Sequence, residues 1–236
     1  MIQIKNKKIF KIVAVAIGAA LICAVLIGVL NGLIGKGEWN LGWTDYRYDD
    51  SHYKVGEGTI AAPKLEHIDL DWIDGNVSIV ICQDAFVSVS EKSPTELSEK
   101  TSVHWYVSED GKSLSIKYRG SSSFWGRTKD KEKDLILRIP EKLMGQLQTL
   151  TVNAISSDVT FSGVSVADTK ITTATGDIRL QLPGDAVFSL TYESQRDEIA
   201  AIDFPVRHEG NTYICGSDGI RIFVKTNSGK LAVTSK

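Results

Sequence analysis

One pattern restricts the fold of this chain more than any other. An apolar, alternating stretch runs into a small residue, usually one polar residue, and then a second alternating stretch. Leu70 is followed five residues later by Gly75 and then by Val77-Ser-Ile79. At the same interval Val152 leads to Ser157 and Val159-Thr-Phe161, Ile171 to Gly176 and Ile178-Arg-Leu180, and Val224 to Gly229 and Leu231-Ala-Val233. Val152, Ile171 and Leu190 are each 19 residues apart, although in the third copy Gln195 replaces the glycine and Ile199 arrives two residues late. Period-two alternation marks a strand with one buried face. One strand–turn–strand unit cannot bury that face alone, so the repeat predicts stacked units around a continuous core. The fold class is therefore all-β, a β-solenoid-like stack of short repeats. A Greek-key β-sandwich, also built of short strands between turn signals, is the alternative. In the stack, Val152, Ile171 and Leu190 are expected to face inward on successive strands, with Gly176 and Gly229 in tight turns.

The rest of the chain beyond Thr59 reads the same way. Ile68, Leu70 and Trp72 alternate with Asp69 and Asp71, and Phe86-Val-Ser-Val-Ser continues the rhythm. Val103–Ser108 and Leu114–Tyr118 flank Glu109-Asp-Gly-Lys112, a hairpin signal because Asp-Gly supplies positive φ at little cost. Ser93–Lys100 is short and polar and reads as a loop with one turn.

The N-terminus carries a different signal. Ile12–Leu30 is apolar throughout, and no charge falls between Lys11 and Lys36. At about 1.5 Å of rise per residue such a stretch covers a bilayer core of about 30 Å. Lys5, Lys7, Lys8 and Lys11 precede it without an acid, whereas Lys36 and Arg47 are diluted by Glu38, Asp45, Asp49 and Asp50. That asymmetry predicts a cytoplasmic N-terminus and an extracytoplasmic remainder. The apolar run is too long for a signal peptide, and Asn31-Gly-Leu-Ile-Gly35 after it is a poor cleavage site. Cys23 has Ile22 before it and a long apolar run after it, which does not suit a lipoprotein. The expected organisation is a cytoplasmic N-terminus (1–11), a transmembrane helix (12–35), an extracytoplasmic stalk (36–58) and a β-strand-repeat domain (59–236). Trp39 and Trp43 fit an aromatic belt beside the span.

Charge and cysteines narrow the function classes. Four of the 27 basic residues precede the span, leaving 23 against 29 acids, a net charge of −6 on the exported part. That balance argues against a nucleic-acid partner. Cys82 and Cys215 are the exported cysteines. Each lies in a strand-like run, so two free thiols are expected rather than a disulfide framework.

Ala174-Thr-Gly-Asp-Ile-Arg-Leu180 and Thr226-Asn-Ser-Gly-Lys-Leu-Ala-Val233 resemble the bacterial putative-adhesin family, a β-strand-repeat domain of unknown function (the DUF4097 type). Leu135-Ile-Leu-Arg-Ile-Pro140 is similar to the strand before its repeats, and Cys215-Gly-Ser-Asp-Gly-Ile-Arg-Ile222 to its penultimate turn. The resemblance covers 59–236. It implies an envelope-facing, β-solenoid-like domain, often on a membrane anchor, some members being associated with envelope-stress systems. Its motifs are turn chemistry, which specifies fold and says little of function.

Catalytic signatures are sparse. His52, His67, His104 and His208 form no metal spacing and are expected at surfaces or sheet edges. Asp69-Leu-Asp-Trp-Ile-Asp-Gly75 approaches a calcium loop, but its third acid falls one place late. No nucleophile elbow, Walker loop or dinucleotide fingerprint is present. Carboxylates for glycan cleavage can assemble from distant strands, yet the short connections leave little room for a cleft. The expectation is therefore no enzyme, no catalytic or metal residue and no cofactor, with a polysaccharide-acting β-helix enzyme as the minor rival. Phe124–Trp125, in the polar insert Gly120–Gly126, reads first as an aromatic plug packed back onto the domain, with the alternative that it is the one candidate contact surface. The functional expectation is a membrane-anchored envelope domain acting through contacts, with cell-wall glycan or another envelope protein as partner. An accessory or sensory subunit of an envelope-stress system is the alternative.

Overall fold

The computed structural model describes residues 48–118, 132–163, 165–196, 198–217 and 219–236. The expected span, Trp39, Trp43 and the Phe124–Trp125 pair lie outside the described residues.

In chain order the strands are β1 (Lys54–Val55), β2 (Gly58–Ile60), β3 (His67–Asp74), β4 (Val77–Cys82), β5 (Val87–Lys92), β6 (His104–Val107), β7 (Ser113–Lys117), β8 (Asp134–Pro140) and β9 (Thr149–Ser156). They continue as β10 (Val159–Ser162), β11 (Asp168–Thr175), β12 (Ile178–Leu182), β13 (Phe188–Ser194), β14 (Ala201–Ile202), β15 (Arg207–Glu209), β16 (Thr212–Cys215), β17 (Ile220–Ser228) and β18 (Leu231–Ser235). One 3₁₀ turn, Glu141–Leu143, follows β8, and no α-helix occurs among the described residues. The segment 93–100 is a loop with turns, as its composition implied.

Two sheets face each other. The first runs β1-β6-β7-β3-β9-β11-β17-β13-β16-β15 and the second β14-β18-β12-β10-β4-β8-β5-β2. β3 passes to β4, β9 to β10, β11 to β12 and β17 to β18, each through two residues, so each pair contributes one strand per sheet and forms a rung. Leu70, Val152, Ile171 and Val224 share one level of the first sheet. Val77, Val159, Ile178 and Leu231 share one level of the second. These ladders are parallel and in register, which a Greek-key sandwich of antiparallel strands is not. The molecule is the β-solenoid-like stack that the repeat requires.

Outer rungs complete it. β7 and β8 run parallel to β3 and β4, and β13 and β14 run parallel to β17 and β18. The order in space therefore departs from the order in sequence at both ends. β17, rather than β13, lies beside β11, and Leu190 pairs with Ile222 while Tyr192 stands level with Val224. Leu190 does face inward and is fully buried, but the 19-residue interval places it one level away from Val152 and Ile171 and two strands from β11. The cause is the connection: β13 reaches β14 through six residues rather than two, which suits an end position and not the middle of a tight stack.

The interior is a dry aliphatic column. Ile68, Leu70, Leu150, Val152, Ile171 and Val224 from the first sheet meet Val77, Ile79, Val159, Ile178, Leu231 and Val233 from the second, all at 1% exposure or less. Each such side chain contributes about 1.5–3 kcal/mol relative to exposure. Antiparallel strands close the ends: the hairpin β6–β7 turns at Gly111 (φ +73°), β5 and β2 cover β8, and β16 and β15 cover β13. The outermost strands are two or three residues long and carry exposed Lys54, Arg207 and Glu209, a composition that discourages end-to-end pairing. From the segment read as stalk, β1 and β2 join the two sheets.

Candidate functional site

The insert carrying Phe124 and Trp125 leaves the described structure after Tyr118 and re-enters at Glu132. Both ends are tied to β3: Tyr118 N–H donates to Asp71 O (2.9 Å), and Trp72 Nε1–H to Lys133 O (2.8 Å). Lys133 is buried. Its ammonium lies 2.9 Å from Glu91 Oε2, also donates to Thr101 O, and stands 4.5 Å and 5.4 Å from the Tyr118 and Trp72 ring centroids. Glu91 Oε1 accepts the Val103 N–H at 2.5 Å. Burial pulls the Lys133 pKa down against the upward effect of Glu91. Burial, reinforced by Asp74 and Glu91, pushes Tyr118 up to about 12. Glu91 and Lys133 line neither of the two depressions described below.

The near-calcium motif is occupied by the protein itself. Lys117 Nζ lies 2.8 Å from Asp69 Oδ2 and 2.7 Å from Asp71 Oδ2, and Asn153 donates to the other Asp71 oxygen at 2.9 Å. Burial works against the Lys117 charge, but those bonds outweigh it and raise its pKa. Among the described residues no three His, Cys, Asp or Glu side chains converge on a metal-sized space. Cys82 and Cys215 are free thiols, Cys82 with its pKa raised by burial. Three histidines lie where expected: His52 and His208 are exposed, the latter stacked on Tyr213 at 4.4 Å, and half-buried His67 meets Thr149 Oγ1 at 2.9 Å. His104 corrects the expectation. It is 5% exposed, because Tyr48 and Tyr53 cover it at ring distances of 5.9 and 6.3 Å. The Tyr53 hydroxyl also donates to Ser115 Oγ at 3.0 Å, so the segment entering the domain is strapped over the outer face of β6 and β7.

The turns form a second ladder. Asp134 Oδ1 accepts the Asn76 N–H (2.9 Å), Asp158 Oδ1 the Asp177 N–H (2.8 Å) and Asp177 Oδ1 the Lys230 N–H (3.0 Å). Asp158 and Asp177, the polar residues after Ser157 and Gly176, thus each bracket the next rung, a purpose the repeat did not give, while Asp134 at the start of β8 holds the turn at Asn76. A depression of about 350 Å³ on this edge is lined by Asp74, Glu132, Asp134 and Asp158, among others. Two of these carboxylates are engaged in that bracketing. Another, of about 420 Å³, lies between the β12 and β18 turn ends and 198–201, where Ile199 is 82% exposed. Both are shallow, and in the first Asp74, Asp134 and Asp158 accept bonds from the N–H groups of Gly75, Asn76 and Asp177.

What remains is the broad outer face of the ten-stranded sheet. One level of it reads Thr151, Lys170, Phe223, Thr191 and Thr212 across five neighbouring strands. Alternation in β17 sends Arg221, Phe223 and Lys225 outward between the buried Ile222, Val224 and Thr226. Arg221 Nε lies 2.9 Å from Asp168 on β11, and Lys225 Nζ 3.4 Å from Glu193 on β13, so the two cations are drawn sideways in opposite directions. Phe223 was missed in the sequence, although Ile222-Phe-Val224 breaks the alternation at its middle residue.

A family profile described as Toastrack DUF4097 matches residues 65–235. The chain belongs to the Toastrack DUF4097 family. The crystal structure of a "putative cell adhesion protein" from Clostridium sporogenes ATCC 15579 superposes on it with a TM-score of 0.55 at 14% identity, covering 78% of this chain and 100% of that one. At that identity the likeness shows a shared fold and nothing finer. No curated protein matches the sequence.

Proposed function

We propose that this Toastrack protein is a non-catalytic, membrane-anchored envelope module that works through contacts made by its β surface. The observation that carries the reading is how its polar groups are used. Asp134, Asp158 and Asp177 bracket turns, Asp69 and Asp71 hold Lys117, and Glu91 holds Lys133. Broad, regular faces are left for recognition. The neighbour's name as a cell adhesion protein points the same way. The lysine asymmetry around 12–30 supports placing the domain outside the cytoplasm.

The strap of Tyr48 and Tyr53 over His104 supports a second reading, an accessory subunit of an envelope-stress system. A domain clasped by its own entering segment can pass strain or occupancy toward a membrane partner. Crosslinked affinity capture of the full chain from intact cells tests both. Recovery of wall glycan or an exposed envelope protein supports the contact module, and recovery of a membrane signalling protein supports the accessory. Release of soluble sugars from wall material by the purified chain would overturn both in favour of an enzyme.

A further inference from the structure

We propose that the outer face of the ten-stranded sheet, centred on Phe223, binds a neutral, straight oligosaccharide chain; this rests on the contact-module reading and gives it a ligand class.

Three observations select that occupant. The first is the aromatic. Among the outward side chains of β3, β9, β11, β17 and β13, Phe223 is the one Phe, Tyr or Trp, and it stands mid-face rather than at an edge. An apolar ring flanked in register by Lys170 and Thr191 suits the C–H face of a pyranose, which is flat, apolar over one side and hydroxylated at its rim.

The second is charge. On the outward positions of those five strands and β7, four cations stand against four acids. Lys117, Arg221 and Lys225 are all paired. A balanced, self-paired surface offers a polyanion or polycation no net field to follow. Lys170 is the exception: it is exposed, sits beside Phe223 in register, and has no acid within ion-pair reach among the described residues. One free ammonium beside a ring supplies a donor for a sugar oxygen without making the face electropositive.

The third is spacing. Thr151, Lys170, Phe223, Thr191 and Thr212 lie in one line across in-register strands, ~4.8 Å apart. Thr151 and Lys170 on one side of the ring, and Thr191 and Thr212 (their hydroxyls 3.1 Å apart) on the other, form a line of polar groups that matches an extended chain presenting the same groups repeatedly. Neither depression lies at this level, so a compact folded partner would find there no pocket for an anchor residue, and the apolar Ile73, Ile155 and Ala174 lie apart from it, at the turn end of the face.

The test uses the full chain in detergent micelles, with cellohexaose and chitohexaose as neutral straight probes and polyglutamate as the charged one. Expected is a dissociation constant of about 0.1–1 mM for at least one hexasaccharide, none for polyglutamate, and a loss of tenfold or more in Phe223→Ala. Phe223→Trp should retain binding, and Thr160→Ala, on the outer face of the other sheet, should leave it unchanged. The proposal is overturned if neither hexasaccharide binds, if Phe223→Ala binds as well as the parent, or if polyglutamate competes. If capture of envelope material from cells persists in Phe223→Ala, the contact module stands and this face is wrong. If a protein is captured in a Phe223-dependent way while no hexasaccharide binds, the face is right and the saccharide is refuted.

Discussion

The carbonyl oxygen of Gly176 occupies the place where a β-carbon on Gly229 would stand, and the carbonyl of Ser157 does the same to Gly176. Rungs that stack through two-residue turns bring each turn against the backbone of the next, so the glycine is required by its neighbour. Gly176 has the added demand of φ +125°.

Gly229→Ala and Gly176→Ala should each therefore destabilise the domain by about 2 kcal/mol or more, through overpacking and, at Gly176, backbone strain. Gly111→Ala is the control, because its φ of +73° carries a conformational cost but nothing lies within 4 Å of the added carbon. A cost of about 1 kcal/mol is expected there. Denaturant melts of the three variants separate the two effects, and equal losses at Gly111 and Gly229 would contradict the stacking argument.

Glu91 and Lys133 are buried together, and removing one leaves the other charged and unpaired. Glu91→Ala should cost about 3–5 kcal/mol. Glu91→Leu combined with Lys133→Met should cost less than either single change, because no charge is stranded. A double variant weaker than both singles would show that the pair adds stability beyond its own desolvation.

Tyr118 sets an alkaline limit. Its folded pKa is raised to about 12 from the ordinary tyrosine value of 10.0. Below pH 10 its contribution to stability is fully present. As pH rises from 10 toward 12 the unfolded chain ionises first, and that contribution is lost. Lys133 acts in the opposite sense, since its lowered pKa lets the native state shed a proton before the unfolded chain does. Comparing parent with Tyr118→Phe isolates the tyrosine: the variant should lose stability less steeply between pH 10 and 12. Parallel curves would refute the assignment.

The lysines before the expected span make a prediction that needs no purified protein. Protease added to intact protoplasts should digest the chain beyond Lys36 and leave a small membrane-bound fragment. A fully protected domain would reverse the topology.

Much of the fold was legible because a turn that meets a neighbour is written in small residues. Gly75, Ser157, Gly176 and Gly229 mark the four rungs that stack consecutively, and the copy lacking a small residue there, at Gln195, belongs to an outer rung. The order of rungs was not legible, since periodicity reports what a strand buries and not which strand lies beside it. Leu190 shows the limit: its inward direction followed from alternation, its level did not. His104 was misplaced for a related reason, as its cover comes from Tyr48 and Tyr53, far away in sequence. Of the candidate site, Asp158 and Asp177 appeared as a recurrent polar position, whereas Phe223 was missed. Their meaning needed the register between β11, β17 and β13.

The swapped ends have a consequence for how such a rod can change over time. β17 and β18, the last rung along the chain, already have a neighbour on each side. A duplicate of that rung would emerge beside strands with no free ladder to offer. That rung is thus closed to tandem copying, whereas in an ordinary solenoid each new copy finds the edge of the one before it.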